Sequence, residues 1–362
     1  MNRQIIYDDN IIGLKRIATA SAEICYCDPP YFSGQNYQHY DIESKEPNGR
    51  QAFTDDRTCF DFDEDVLSTQ LEKITMGHLL KNIRDLYGRD LYNYAGWIGC
   101  RLIEINRILK DTGTFYLQCD DSAAYILKPL IDAVFSSVNY RNSIYWVRSA
   151  GPLTNLRKKL LRQVDVIFQY SKCPRSFIFN YGAAFRERTP SEKEDLYDKE
   201  DAGGRYYLGA ITDTGRSLRG RGKVFEFKGI TNRWKYSKAK LLKYDEQGLI
   251  DMSHDMPMIK YYEAERQFGT LWNDIGRITF NTKDSTGFQT AKPIKLLERI
   301  ISLSSSPDGL IVDPFCGSGT TGIAAENLGR RWVMIENNFE TAEFAAQRLQ
   351  NHIGLLGHVE II

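Results

Sequence analysis

Residues 310–337 read LIVDPFCGSGTTGIAAENLGRRWVMIEN. An apolar run, a glycine-rich turn, a helical segment and a second apolar run follow one another without a linker. Such a unit lays two parallel strands in one sheet with a helix crossing between them. Gly317, Gly319 and Gly322 match G-x-G-x-x-G at the start of the helix, and Glu336 ends the second strand. Read literally this is a dinucleotide fingerprint: glycines let the backbone approach a ligand, and the acid accepts hydrogen bonds from ribose hydroxyls. A nicotinamide-dependent oxidoreductase of Rossmann type is therefore one reading.

Two features favour another ligand. Only 26 residues follow Glu336, which leaves the rest of a dinucleotide fold unbuilt. Asp313 stands at the strand end just before the glycines, where a negative charge suits a cationic ligand better than a pyrophosphate. S-adenosylmethionine, a sulfonium amino acid joined to a nucleoside, is such a ligand. A P-loop is excluded, because no Gly-Lys-Ser/Thr follows the turn.

A second stretch, residues 23–34, reads EICYCDPPYFSG. Proline cannot continue a central strand. Ile24–Cys27 is expected to end a strand, and Asp28-Pro29-Pro30-Tyr31 to form a stiff turn at its carboxyl end. Ligands of open α/β sheets bind at that end. Alone, the turn could equally be a strand terminator with a capping Asp.

The 362 residues are enough for a large α/β domain plus an insertion. Residues 1–150 alternate strand-like and helix-like runs, with a helix expected over 91–109 and a strand over 114–119. Lys110-Asp111-Thr112-Gly113 is expected to close the helix, and Asp120 to cap the next one. Residues 32–75 are polar and read as a long loop. Runs 143–147 and 164–170 read as strands, and Trp97 and Trp146 as core. Residues 171–284 lose the pattern, which resumes at Lys292. This alternation implies a largely parallel sheet covered by helices.

Net charge is zero, but residues 41–72 carry ten Asp/Glu against three Lys/Arg, and 216–243 carry ten Lys/Arg against the single acid Glu226. Phe225, Phe227, Trp234 and Tyr236 thread the basic run. Cations for phosphates with aromatics for packing or stacking match the composition of a nucleic-acid surface. Arg216, Arg219, Arg221, Lys223, Arg233 and Lys235 are the candidates for phosphate contact. Seven scattered cysteines without a CxxC pair, and five scattered histidines, predict no metal and a reducing, cytoplasmic setting. No apolar run is long enough to span a membrane.

Together, DPPY at 28–31 and DPFCGSGTT at 313–321, in this order, resemble the beta group of DNA amino-methyltransferases, site-specific bacterial enzymes of the restriction-modification type. The likeness covers most of the chain. IIYDDNIIGLKRI is similar to the family's opening strand with an acidic end at Asp9 or Asp8. TAKPIKLLERII is similar to the motif over the cofactor's methionine end, with Ala291 where the family usually has Gln. GRYYLGAI, RWKYSKAKLLKYDEQGLI and LWNDI are similar to target-recognition segments.

The resemblance implies a Rossmann-like S-adenosylmethionine-dependent methyltransferase fold in circularly permuted motif order, with helices on both faces of a mostly parallel sheet. Residues 1–170 and 285–362 would form the catalytic and cofactor domain, and 171–284 the irregular target-recognition region. The implied activity is methyl transfer to the exocyclic N6 amine of adenine in double-stranded DNA after base flipping, with the N4 amine of cytosine as the alternative. Asp28, Pro29, Pro30 and Tyr31 would be catalytic. Asp9, Thr290, Lys292, Pro293, Asp313, Pro314, Phe315, Gly317, Gly319, Thr320, Glu336 and Asn337 would bind the cofactor. The resemblance leaves room for a homodimer and for a companion restriction endonuclease.

The chemistry accounts for the residue types. A base's exocyclic amine is a poor nucleophile, because its lone pair is delocalised into the ring. Asp28 and the Pro29 carbonyl can each accept one amine hydrogen, freeing the lone pair for attack. Tyr31 offers a face for stacking the flipped base.

Overall fold

The computed structural model describes residues 3–32, 34–40, 47–57, 60–62, 74–148, 160–213, 222–278, 287–288, 290–354 and 357–362. They cluster into two compact units, Met1–Ala184 with Phe268–Ile362, and Phe185–Gln267.

The first unit opens with β1 (Arg3–Tyr7), α1 (Asn10–Arg16) and β2 (Ala22–Cys27). β3 (Gln35–Tyr40) and β4 (Pro47–Asp55) form a separate antiparallel pair. α2 (Ile74–Tyr87), α3 (Arg89–Ile108), β5 (Leu109–Cys119), α4 (Asp121–Phe135), β6 (Tyr140–Val147) and β7 (Val164–Ser171) follow.

The second unit carries β8 (Phe185–Arg186), α5 (Pro190–Leu196), β9 (Lys199–Asp201), β10 (Gly204–Ala210), β11 (Lys223–Phe227), β12 (Ile230–Trp234), α6 (Lys238–Glu246), β13 (Ile250–Asp251), β14 (Met258–Tyr262) and β15 (Arg266–Gln267). A four-stranded sheet runs β13-β14-β10-β9, beside the β11–β12 hairpin. Its own core gathers Ile211, Phe227, Trp234, Leu241 and Ile259. Strands this short show little periodicity in sequence, so the region reads as irregular. Arg216, Arg219 and Arg221 lie outside the described residues.

The chain then completes the first unit with β16 (Leu271–Trp272), α7 (Ile294–Ser304), β17 (Leu310–Asp313), α8 (Thr320–Asn327), β18 (Arg331–Glu336), α9 (Phe339–Ile353) and β19 (Glu360–Ile361). Among the described residues, nine strands make the main sheet in the order β16-β6-β7-β5-β2-β17-β18-β1-β19. All its pairings are parallel except those of β7, which runs antiparallel to both β5 and β6. The α/β class is thus realised as a mostly parallel sheet. Among the described residues no helix is long and apolar enough to cross a membrane.

Helices cover both faces. α3 buries Leu91, Tyr94, Ala95, Ile98, Leu102 and Ile105 along one stripe, the spacing of a helix with one core face. That stripe packs with Cys25 and Cys27 of β2 and with Phe115 and Leu117 of β5. Tyr116 points the other way, as strand alternation requires, and its hydroxyl lies 2.6 Å from that of Ser304 on α7. Each large apolar side chain buried here contributes about 1.5–3 kcal/mol. Leu102→Ala would cost about 2–5 kcal/mol.

Two local expectations are corrected. Residues 32–75 are not one long loop, since β3, β4 and the start of α2 fall within them. Their backbones pair outside the main sheet, so the strands need no apolar alternation. Lys110–Gly113 do not close α3 but lie within β5. A Cβ on Gly113 would come within 3.0 Å of the Ala22 carbonyl on β2, so the sequence uses glycine where two strands meet tightly.

Strand order reverses between β2 and β17. From β2 the chain moves on to β5 on one side, and from β17 to β18 on the other. The carboxyl ends of neighbouring strands diverge into a crevice at such a point. The DPPY turn follows β2 and the glycine loop follows β17, so both motifs flank one opening.

Candidate active site

A cavity of about 1140 Å³ lies at this end of the sheet. Of the residues singled out from sequence it takes in Asp9, Asp28, Pro29, Pro30, Tyr31, Thr290, Lys292, Asp313, Pro314, Phe315, Gly317, Thr320, Glu336 and Asn337. Pro293 and Gly319 are not among its lining residues. Pro293 caps α7, and a Cβ on Gly319 would meet Ala345 and Leu349 of α9.

The DPPY turn brings three groups together. The Tyr31 hydroxyl donates to Oδ1 of Asp28, and Nζ of Lys292 pairs with Oδ2. The Lys292 ammonium also reaches the Thr290 carbonyl at 3.3 Å and sits 5.8 Å from the centre of the Tyr31 ring. Burial, reinforced by the Asp28 charge, holds the Tyr31 phenol well above its usual range. It stays a donor at neutral pH. The Tyr94 hydroxyl donates to the Pro30 carbonyl at 2.9 Å.

The glycine loop supplies the opposite wall. Gly317 and Gly319 have φ of +51° and +75°, left-handed values that disfavour any residue with a Cβ. Gly322 has a packing role, because a Cβ there would lie 2.9 Å from Met334. Asp313 is 2 % exposed. Burial pushes its carboxyl up to about 7, against the pull of Thr321 Oγ1 and the Phe315 N–H. Burial likewise pushes Glu336 up to about 7, although it accepts from the N–H groups of Gly317 and Asn338, both at 3.0 Å. A buried and a half-buried carboxylate, both near neutrality, are ready to gain from a ligand that is cationic or rich in hydroxyls.

Asp9 caps α1 through the Ile11 N–H at 2.8 Å and accepts from Arg101 at 3.0 Å. The Arg101 guanidinium also donates to Asn10 and lies 3.5 Å from the centre of the Trp97 ring. Burial lowers its pKa to about 10.

Other lining residues were not assigned to the site from sequence. Trp97 and Trp146, expected in the core, both border the cavity, although Trp146 is buried. Asp120 caps α4 as expected, through the N–H groups of Ser122 and Ala123, and also lines the cavity with Arg162 bound at 2.8 Å. Asp165 is 1 % exposed, accepts from Gln118 at 2.9 Å and lies 3.1 Å from Arg148 Nε. Burial raises its pKa. An acid inside the apolar strand VDVIFQY was the signal that could have found it. Asp55 carried no such signal.

The chain is similar to known DNA methylases. A model of the N6/N4 DNA methylase family matches residues 22–347. The type II methyltransferase M.EcaI of Enterobacter cloacae is 26% identical over 95% of this chain and 68% of its own length. The DNA adenine methyltransferase YhdJ of Escherichia coli K12 is 36% identical over 29% of this chain and 34% of its own. Among solved structures, the cytosine-N4-specific PvuII DNA methyltransferase superposes with a TM-score of 0.47 at 15% identity, over 96% of this chain and 86% of its own. With a family match running from β2 into α9, the chain belongs to the N6/N4 DNA methylases.

Proposed function

We propose that the protein is a site-specific DNA methyltransferase that uses S-adenosylmethionine to methylate the N6 amine of a flipped adenine. One observation carries the reading: the Asp28–Tyr31 turn and the acid pair Asp313 and Glu336 border one cavity at the point where strand order reverses. S-adenosylmethionine supplies a methyl group activated on a sulfonium. The acid pair fits it, Asp313 toward the cationic amino-acid end and Glu336 toward the ribose hydroxyls.

Asp28 accepts one amine hydrogen. Both its oxygens already hold a partner, but each carboxylate oxygen keeps a further lone pair for the amine. Tyr94 occupies the Pro30 carbonyl, which leaves the Pro29 carbonyl to accept the second hydrogen. Tyr31 lies against the base plane, and its hydroxyl fixes the Asp28 carboxylate. The base must leave the duplex to reach this depth. The Phe185–Gln267 unit, with Lys223, Arg233 and Lys235 around its hairpin, is assigned to reading the target. The motif order DPPY before the glycine loop fits the permuted group. Adenine is supported by the DPPY turn and by the adenine methyltransferase among the relatives. The type II relative supports a restriction-modification setting with a companion endonuclease.

The test uses purified protein, radiolabelled S-adenosylmethionine and mixed-sequence duplex DNA, digested to nucleosides. Label in N6-methyladenine is the expected result. Label in N4-methylcytosine would keep the mechanism and overturn the base. Absence of label on DNA would overturn the reading.

A further inference from the structure

The catalytic turn is gripped from outside by a residue of the hairpin that precedes α2. Asp55, the last residue of β4, is 1 % exposed. Its Oδ1 accepts the Phe32 N–H at 2.7 Å, and its Oδ2 the Tyr31 N–H at 3.2 Å. Its own carbonyl accepts the Gly34 N–H at 2.9 Å. Two successive main-chain N–H groups converging on one anion make a tight, directional cradle.

The grip holds a turn that is not at rest. Phe32 has φ of +59°, the left-handed region in which a side chain with a Cβ is disfavoured. Its ring packs 5.2 Å from that of Tyr94 and 6.1 Å from that of Phe60. Tyr94, itself fully buried, holds the Pro30 carbonyl from the other side. The turn is thus fixed at three consecutive residues, Pro30, Tyr31 and Phe32. Tyr31 is the residue whose hydroxyl donates to Asp28. A shift of its main chain would move that hydroxyl off the carboxylate.

We infer that Asp55 is a positioning residue for methyl transfer: its carboxylate sets the Tyr31–Phe32 backbone and, through the Tyr31 hydroxyl, the orientation of Asp28. The inference rests on the proposed function, because it takes Asp28–Tyr31 as the catalytic turn. A carboxylate is required because both N–H groups need an acceptor at once. An amide of the same shape offers one oxygen and turns an NH2 group against the other N–H. Asp55 borders the same cavity, and its two hydrogen bonds to the turn are the route by which it acts.

The experiment is single-turnover methyl transfer by Asp55→Asn in the full chain, read beside its steady-state kcat and KM for DNA, its Kd for S-adenosylmethionine by calorimetry and its melting temperature. The expected result is a rate lowered about tenfold or more, carried in kcat, with KM, Kd and melting temperature close to wild type. A wild-type rate in Asp55→Asn, or a slower rate matched by an equal loss of cofactor affinity, would overturn the inference. Should Asp55→Asn fail to fold, Asp55→Ser, which keeps one acceptor oxygen, is read by the same criteria. A wild-type protein that labels no DNA would instead overturn the proposed function, so the two failures are distinguishable.

Discussion

Lys292 is ion-paired with Asp28, across 264 residues of chain. The ammonium comes from the segment that leads into α7, and the carboxylate from the turn after β2. Both groups are largely shielded, with side chains 12% and 20% exposed. The pair compensates Asp28 in a cavity that also holds Asp165 and Asp313. The Lys292 charge lowers the pKa of both these buried acids.

Lys292→Met should therefore raise the Asp313 pKa further and shift the pH midpoint of cofactor binding upward. Affinity for S-adenosylmethionine at pH 7 should fall about threefold to tenfold, as the ionised fraction of Asp313 falls. Calorimetric titrations from pH 6 to 9 would check this. An unmoved midpoint would show that Asp313 does not feel Lys292.

The acid pair makes a stronger pH prediction. Asp313 and Glu336 sit near 7 in the fold, against about 4 in an unfolded chain. Between those values the folded state holds more protons, so these groups stabilise the ligand-free protein at low pH. That contribution declines as pH rises through 7 and levels off above. Cofactor binding should run the other way, gaining about tenfold between pH 6 and pH 8 for each carboxylate it needs ionised. Asp313→Asn with Glu336→Gln should flatten both profiles, which melting curves and titrations across pH would read.

The legibility of this site in sequence follows its reach along the chain. DPPY and DPFCGSGTT were readable because proline, glycine and a strand-end acid act within a few residues. Lys292 was readable as a site residue, but its pairing with Asp28 was not, since that contact exists only once β2 and β17 lie side by side. The same holds for Asp55, which meets Tyr31 and Phe32 only because β4 folds back on β3. The antiparallel direction of β7 could not be read either, because VDVIFQY has the same pattern in both directions. Trp97 and Trp146 read as core because periodicity reports burial, and a residue can be buried and still border a cavity.

Gly319→Ala should destabilise the protein by about 1–2 kcal/mol, the cost of forcing a Cβ into left-handed backbone. Its φ is +75°, and the added atom would sit 3.1 Å from Ala345. Urea unfolding should show a lower midpoint with an unchanged slope. An unchanged midpoint would mean that the loop relaxes freely.

Lys223→Ala and Arg233→Ala lie on the paired strands of the β11–β12 hairpin. Each should weaken DNA binding on all sequences and reduce the slope of log affinity against log salt by about 1. Fluorescence anisotropy over a salt series would measure it. An unaltered slope would remove that residue from the phosphate contacts.

The pairing of β8 with β15 has a consequence of another kind. Phe185 is matched with Gln267 and Arg186 with Arg266, so the first and last residues of the second unit are neighbours. The intervening polypeptide therefore begins and ends at one pair of strands. It can be traded for another of different length or sequence while the crossovers of the nine-stranded sheet stay as they are. Under the proposed function, in which this unit reads the target, a lineage built this way can change what it reads without renegotiating how it reacts.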